Sequence, residues 1–136
     1  MITYRSDEGV AEWTRERIPG IERWMDKYMS FGVVRDDELV VGIVYDAFTG
    51  TDINMHQVIE DHRGVTRASL KAAFSFPFVT LNCQRVTGLV PSSNLAAQRL
   101  NAHFGFILEG RKRHAFPNGD DELIYGLLKS ECRWLR

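Results

Sequence analysis

The 136-residue sequence lacks several features that would assign it to a specialised class of protein. Its 2 cysteines, Cys83 and Cys132, form no CxxC or Cys/His cluster, so the sequence predicts neither a metal site nor a disulfide framework. No apolar run is long enough to span a membrane, and the polar, acidic start MITYRSDEGV is unlike a signal peptide. We therefore expect a cytoplasmic protein with reduced thiols and no membrane contact.

The sequence also lacks an excess of charge of either sign. It has 17 Lys and Arg against 18 Asp and Glu, for a net charge of -1. Surfaces that bind nucleic acid usually show a basic excess, so nucleic acid is a disfavoured partner. The basic run from Arg111 to His114 is either a solvated strand end, which we favour, or a local binding patch.

The composition is that of an ordinary folded domain, with 44% hydrophobic and 26% charged residues. A chain of this length can bury one hydrophobic core, and no repeat, linker or low-complexity segment interrupts it. We expect a single domain over residues 1–136.

The predicted order of elements is mixed. A short strand, ITYR, precedes a segment with helical spacing over residues 7–29, which Pro19 and Gly20 divide into two helices. Residues 31–48 predict a β-hairpin with its turn at 35–38. The next run, TDINMHQVIE, alternates between an apolar and a polar face and predicts a fourth strand.

The second half of the chain continues the mixed pattern. A helix is predicted from Thr66 to Phe76, where Pro77 ends it, and a fifth strand lies in QRVTGLV. Ser92 or Ser93 caps another helix that ends at Gly105, and a hairpin turns at residues 117–119. The order β-α-α-β-β-β-α-β-α-β-β is an α/β (α+β) arrangement.

The segment RGVTRA, which begins at Arg63, lies where the fourth strand passes into a helix. Amides at a helix start lack intrahelical partners, and the helix dipole adds positive charge, so such a turn can bind an anion. Gly64 would allow close approach, and Arg63, Arg67 and, one turn on, Lys71 add positive charge. Local chemistry leaves two interpretations open: a phosphate site, or a helix capped by Thr66 with solvated arginines.

This segment resembles the pyrophosphate loop, Q/R-x-x-G-x-G/A, of the GNAT superfamily of acetyl-CoA-dependent N-acetyltransferases. Arg63 and Ala68 match its ends, whereas Thr66 replaces the middle glycine. A second segment, NLAAQRLNAHFGFILEGRKR, resembles the GNAT pattern N..A..L....GF..EG. Its matching residues are Asn94, Ala97, Leu100, Gly105, Phe106, Glu109 and Gly110.

The resemblance covers nearly the whole chain. Among the large branches of the superfamily it is closest to the one that contains ribosomal-protein and protein N-terminal acetyltransferases, and it is closer still to small GNAT-like proteins carried by bacteriophages. Small GNAT-like proteins carried by bacteriophages share further features, such as MH in the fourth strand, FPF and the terminal ECRWL. The resemblance implies a GNAT-like fold. Such a fold has a mixed central sheet of about six to seven strands, a splay between strands four and five, and about four flanking helices.

In the implied fold, the splay holds the pantetheine arm of acetyl-CoA as though it were another strand, and the RGVTRA turn holds the pyrophosphate. The asparagine of the second motif would contact the pantetheine, although it could instead cap a helix. The cofactor-binding residues implied by the resemblance are Val58, Arg63, Gly64, Val65, Thr66, Arg67, Ala68 and Asn94.

Acetyl transfer to an amine needs a base for the amine and a proton for the departing thiolate. His56, on the polar face of the fourth strand, is the first candidate base, and Glu60 follows on the same face. His56 could instead be a structural histidine. Many GNAT enzymes have a tyrosine seven residues after the motif asparagine, but this chain has Asn101, which can hydrogen-bond a thiolate but cannot protonate it. Tyr45 and Tyr125 are substitutes by residue type only.

We therefore expect an acetyl-CoA-dependent N-acetyltransferase that acts on a primary amine: a protein N-terminus, a lysine or a small amine. The alternative is a GNAT-fold interaction protein with little or no catalysis that engages a protein partner. A homodimer is left open, because Trp134 and Leu135 could either complete the core or join a neighbouring chain.

Overall fold

A computed structural model describes all residues, Met1–Arg136. Seven strands form one sheet in the order β1-β2-β3-β4-β5-β7-β6, in which only β4 and β5 run parallel. The strands are β1 (Ile2–Arg5), β2 (Tyr28–Arg35), β3 (Glu38–Asp46), β4 (Asn54–Ile59), β5 (Arg85–Pro91), β6 (Ile107–Lys112) and β7 (Glu122–Leu128). The α-helices are α1 (Glu8–Glu16), α2 (Arg67–Ser75) and α3 (Leu95–Phe104). The predicted mixed sheet is confirmed.

The predicted second helix after Pro19 is absent, so the structure has three α-helices where about four were expected. Gly20 has a φ of +86°, which turns the chain away after α1. Trp24 then packs against the sheet, and its indole Nε1 donates to the carbonyl oxygen of Ala11 at 3.0 Å. Tertiary packing therefore overrides the helical spacing of this segment.

Local chemistry explains where the helices begin. Asp7 caps α1 by accepting from the amide of Val10 at 3.0 Å, and Thr66 caps α2 by accepting from the amide of Ser69 at 3.0 Å. The cap of α3 is Asn94 and not the predicted serines, because its side chain accepts from the amide of Ala97. Pro77 ends α2 as expected, although a single π-helical turn (Phe76–Thr80) follows.

The helices cover opposite faces of the sheet. Helix α1 packs on β2 and β3, while α2 and α3 enclose the main core on the other face. Within that core, the ring of Phe104 lies edge-on to the ring of Trp134 at a centroid distance of 6.0 Å. The indole Nε1 of Trp134 donates to the carbonyl oxygen of Phe104, so Trp134 completes the core of its own chain. No helix is both long and apolar enough to cross a membrane.

Candidate active site

A cleft opens where β4 and β5 diverge. The two strands pair only at Asn54 and Thr87, and the amide of Thr87 donates to the carbonyl oxygen of Ile53 at 2.9 Å. Beyond this point, β4, β5, α3 and the segment after α1 line a cavity of about 450 Å³. The splay predicted between strands four and five is therefore confirmed, and side chains do not fill its entrance.

Alternate residues of β4 provide the unpaired main-chain groups in this cleft. Main-chain groups alternate in direction along a strand. Ile53 bonds to β5, whereas the amide of Glu60 donates to the carbonyl oxygen of Val40 on the β3 side. By this alternation, Gln57 and Ile59 turn their amide and carbonyl groups toward the cleft. Val58 adds its side chain to the cleft lining, but its main chain pairs with β3.

The floor of the cleft depends on a glycine under α3. A Cβ atom at Gly88 would lie 2.7 Å from the Oδ1 atom of Asn101, so any larger residue would displace that side chain. The Nδ2 atom of Asn101 donates to the carbonyl oxygen of Ala97 at 2.9 Å. Asn101 is buried and lines the cavity with a carboxamide that has no acidic proton.

Asn94 also lines the cavity, and its two side-chain atoms differ in use. Its Oδ1 atom accepts from the amide of Ala97, which makes Asn94 the cap of α3. Its Nδ2 atom has no partner within the chain and remains able to donate to a carbonyl group. The capping alternative considered from the sequence is thus realised without consuming the whole amide.

His56 lines the same cavity from β4. Its Nε2 atom lies 2.8 Å from the Oδ1 atom of Asp46, the last residue of β3, and both side chains are largely buried, with 14% and 6% of their surface exposed. The ring of Trp24 lies 5.0 Å from the imidazole between centroids. Sequence reasoning missed Asp46 and Trp24, because neither stands in a motif with His56.

Glu60 lies outside the cleft. Its Oε1 atom accepts from the Nε atom of Arg17 at 2.7 Å, and its side chain is half exposed. Glu60 is not among the residues that line the cavity, although Arg17 is. The structure therefore separates Glu60 from His56, with which the sequence grouped it.

The two tyrosines considered as proton donors both lie in the hydrophobic core. The hydroxyl group of Tyr45 donates to the carbonyl oxygen of Ala73 at 2.6 Å, and complete burial raises the pKa of Tyr45 far above its usual value. Tyr125 belongs to the core on the same face as Gly88 and does not line the cavity. Neither phenol is placed in the cleft.

Most main-chain amides of the RGVTRA turn already donate hydrogen bonds to nearby acceptors in the chain. Those of Gly64 and Val65 donate to the carbonyl oxygens of Asp61 and His62, at 3.0 and 2.9 Å. The amide of Thr66 donates to the Oγ atom of Ser69 at 2.8 Å, which completes a reciprocal cap. The amides of Arg67 and Ala68 are the ones at this helix start that no side chain caps. The expected run of free donors from 64 to 68 is therefore reduced.

Gly64 and Arg63 both make contacts with other residues of the protein. A Cβ atom at Gly64 would lie 2.7 Å from the Cγ2 atom of Val40, so this glycine permits packing on the sheet. Arg63 binds Asp61, and its guanidinium lowers the pKa of the Asp61 carboxyl to about 2. Arg67 is exposed and has no ion pair, so it is the arginine of this turn that is free to meet an anion.

One carboxylate in the cavity wall has no ion-pair partner. Glu122 begins β7 and is half-buried, and neither a hydrogen bond nor a salt bridge engages its side chain. Its register opposite Pro91 places it on the face of the sheet that also carries His56. The apolar residues Ile18, Ile21 and Phe116 share this cavity. The arrangement suits a cationic group attached to an apolar body.

The geometry described above defines a class of fold, and solved structures share it. Mutant forms of SpeG, the spermidine/spermine N-acetyltransferase of Vibrio cholerae, are 18% identical and align over 96% of both chains with a TM-score of 0.75. A different SpeG mutant aligns over 99% of this chain and 96% of its own, at 15% identity and a TM-score of 0.79. A GNAT-family acetyltransferase from Bacillus anthracis is 20% identical over 75% of this chain and 67% of its own, with a TM-score of 0.61.

These likenesses show that the chain has the GNAT acetyltransferase fold, which the two sequence motifs indicated. No protein-family model matches the sequence, and no curated protein matches it. The expected placement near the ribosomal-protein and N-terminal acetyltransferase branch stays a prediction.

Proposed function

We propose that the protein is an acetyl-CoA-dependent N-acetyltransferase that acts on a primary amine. The observation that carries this proposal is the open cleft, in which a free strand edge and His56 line the same cavity. Structural neighbours with this fold include proteins described as acetyltransferases, which supports the reaction class.

The residues of the cleft fit the pantetheine arm of acetyl-CoA. Its amides would pair with the main chain of Gln57 and Ile59, and the Nδ2 atom of Asn94 would donate to one of its carbonyl groups. At the diphosphate end, the amides of Arg67 and Ala68 and the side chains of Arg67 and Lys71 remain as binding groups. When bound, acetyl-CoA supplies an acetyl group activated as a thioester.

The chain's own part in the reaction is to move protons. An amine that is cationic in solution first loses one proton to the solvent. Acylation of the neutral primary amine then forms a C–N bond, breaks the thioester C–S bond and releases one further proton from the nitrogen. His56 takes that proton. The carboxamide protons of Asn101 are not acidic, so a water molecule protonates the departing thiolate, and the His56 imidazolium gives its proton to the hydroxide that remains.

The acceptor side favours an amine that carries positive charge in solution. Glu122 offers an unpaired carboxylate in the cavity wall, and the surrounding apolar side chains suit a carbon chain. A protein N-terminus, a lysine side chain and a small amine all meet this description.

The test combines binding with transfer. Saturating acetyl-CoA should raise the melting temperature, since a ligand at a hundredfold excess over its Kd stabilises the folded state by about 2.7 kcal/mol. A screen of peptides and small amines, read by mass spectrometry, should then detect an acetylated product. Absence of both a thermal shift and a product would contradict the proposal.

A second candidate function is an interaction protein that keeps the fold with little catalysis. The reciprocal cap of Thr66 and Ser69 and the carboxamide of Asn101 favour it, because they remove phosphate donors and a proton donor. Cofactor binding without acetyl transfer to any amine in the screen would support this candidate.

A further inference from the structure

Asp46 is a buried acidic residue at the end of β3. Only 6% of its side chain is exposed, and buried carboxylates need a hydrogen-bonding or charged partner. The partner here is His56, whose Nε2 atom lies 2.8 Å from the Oδ1 atom of Asp46. The amide of Met25 adds a long contact to the Oδ2 atom at 3.5 Å.

Sheet register brings the pair together. Val44 lies opposite His56 and Asp46 lies opposite Asn54, so the two side chains project from neighbouring strands on the same face. The ring of Trp24 covers the imidazole, and its own hydrogen bond to Ala11 anchors it to α1. The imidazole is thus held on one edge by Asp46 and on one side by an indole.

The contact with Asp46 determines which imidazole nitrogen is free. An ionised carboxylate can only accept, so the Nε2 atom of His56 must donate and carries a proton. The Nδ1 atom has no hydrogen-bond partner in the chain, and no buried side-chain nitrogen or oxygen lacks a partner. The Nδ1 atom must therefore reach solvent, and His56 reaches it through the cleft that it lines.

We propose that Asp46 is a positioning residue that keeps a proton on the Nε2 atom of His56 and so presents the unprotonated Nδ1 atom to the acceptor amine. This inference rests on the proposed function, in which His56 takes the amine proton. In that step the neutral amine loses a proton to the Nδ1 atom and its nitrogen forms the C–N bond, while the thioester C–S bond breaks and the departing thiolate takes a proton from water. Asp46 stabilises the resulting imidazolium through the Nε2 hydrogen bond.

The first test is independent of activity. Imidazole ¹⁵N NMR spectra of the labelled protein at about pH 9, where neutral histidines predominate, distinguish the two tautomers. The His56 signals are those missing from the His56→Ala spectrum. We expect a protonated Nε2 and an unprotonated Nδ1 in the wild type, and a loss of this preference in Asp46→Asn. A wild-type Nδ1–H tautomer would overturn the inference.

The second test uses steady-state kinetics. Asp46→Asn should lower kcat by about 10- to 100-fold, as loss of an orienting partner does, and leave the KM for acetyl-CoA unchanged. The matched control is Asp52→Asn, which changes another half-buried carboxylate that bonds Thr87 and does not contact His56. In a His56→Ala background, Asp46→Asn should cause no further loss of kcat.

The outcomes separate the inference from the proposed function. A merely structural role for Asp46 would lower kcat equally in both backgrounds, and this result would overturn the inference. If the wild type transfers acetyl to no amine, the proposed function fails, and the tautomer result alone decides the role of Asp46.

Discussion

The two ends of the candidate site differ in how the main chain is satisfied. In the cleft, β4 leaves the main-chain groups of Gln57 and Ile59 without a neighbouring strand. At the start of α2, by contrast, Thr66 and Ser69 cap each other, and the preceding turn bonds its own amides. A helix start that matches a phosphate-binding motif can therefore have its amides already bonded within the chain. The edge of a splayed strand keeps unpaired main-chain groups, because the neighbouring strand has diverged from it.

The largest expected effect on activity comes from a substitution in the open cleft. His56→Ala should lower kcat by about 100-fold or more, as removal of a general base does, with little change in the affinity for acetyl-CoA. Steady-state kinetics and calorimetry measure the two quantities. The control His114→Ala changes an exposed histidine in the β6–β7 hairpin. Unchanged kcat in His56→Ala would remove His56 from the mechanism.

At the closed end, Arg67→Glu should weaken acetyl-CoA binding by about 10- to 100-fold, because it replaces a charged phosphate contact by a repulsive one. A glutamate in the first turn of a helix is favourable, so the fold should not suffer. Arg99→Glu on α3 is the matched control, since Arg99 is also exposed and without an ion pair. Equal affinities of both variants would show that the diphosphate lies elsewhere.

Gly64→Ala tests whether Gly64 serves packing against the sheet or binding of acetyl-CoA. The added methyl group would crowd Val40, and overpacking of this kind costs about 1–3 kcal/mol, or several degrees of melting temperature. The Kd of the folded protein for acetyl-CoA should hardly change. In Gly110→Ala the new Cβ atom would lie 3.8 Å from Ile124, so that control should keep its stability. A stable Gly64→Ala variant that loses cofactor would restore the phosphate role.

The smallest expected effect is a gain in affinity for acetyl-CoA. Thr66→Gly frees the amide of Ser69 and should tighten acetyl-CoA binding by about 2- to 10-fold, the value of one net hydrogen bond. Stability should fall by only about a few tenths of a kcal/mol. Thr66→Ser keeps a capping hydroxyl and should bind like the wild type. Calorimetric titration of the three proteins compares them, and equal affinities would mean that the cap does not compete with phosphate.

Much of the fold could be predicted because its signals are local. The alternation in TDINMHQVIE placed His56 on the face opposite Met55, and the two central aspartates of the first hairpin, Asp36 and Asp37, adopt the positive φ angles of 52° and 66° that a tight turn needs. The segment around Trp24 was mispredicted, because its helical spacing reflects contacts with α1 and β4 instead.

The sequence by itself determined the mixed sheet, the strand that carries His56 and the helix that begins within RGVTRA, since these follow from periodicity and capping chemistry within short windows. Only the tertiary structure decided that Asp46 holds His56, that Gly64 faces Val40 and that Glu60 binds Arg17. Each of these contacts joins residues from different elements, and their distances depend on strand register and packing that no local pattern encodes.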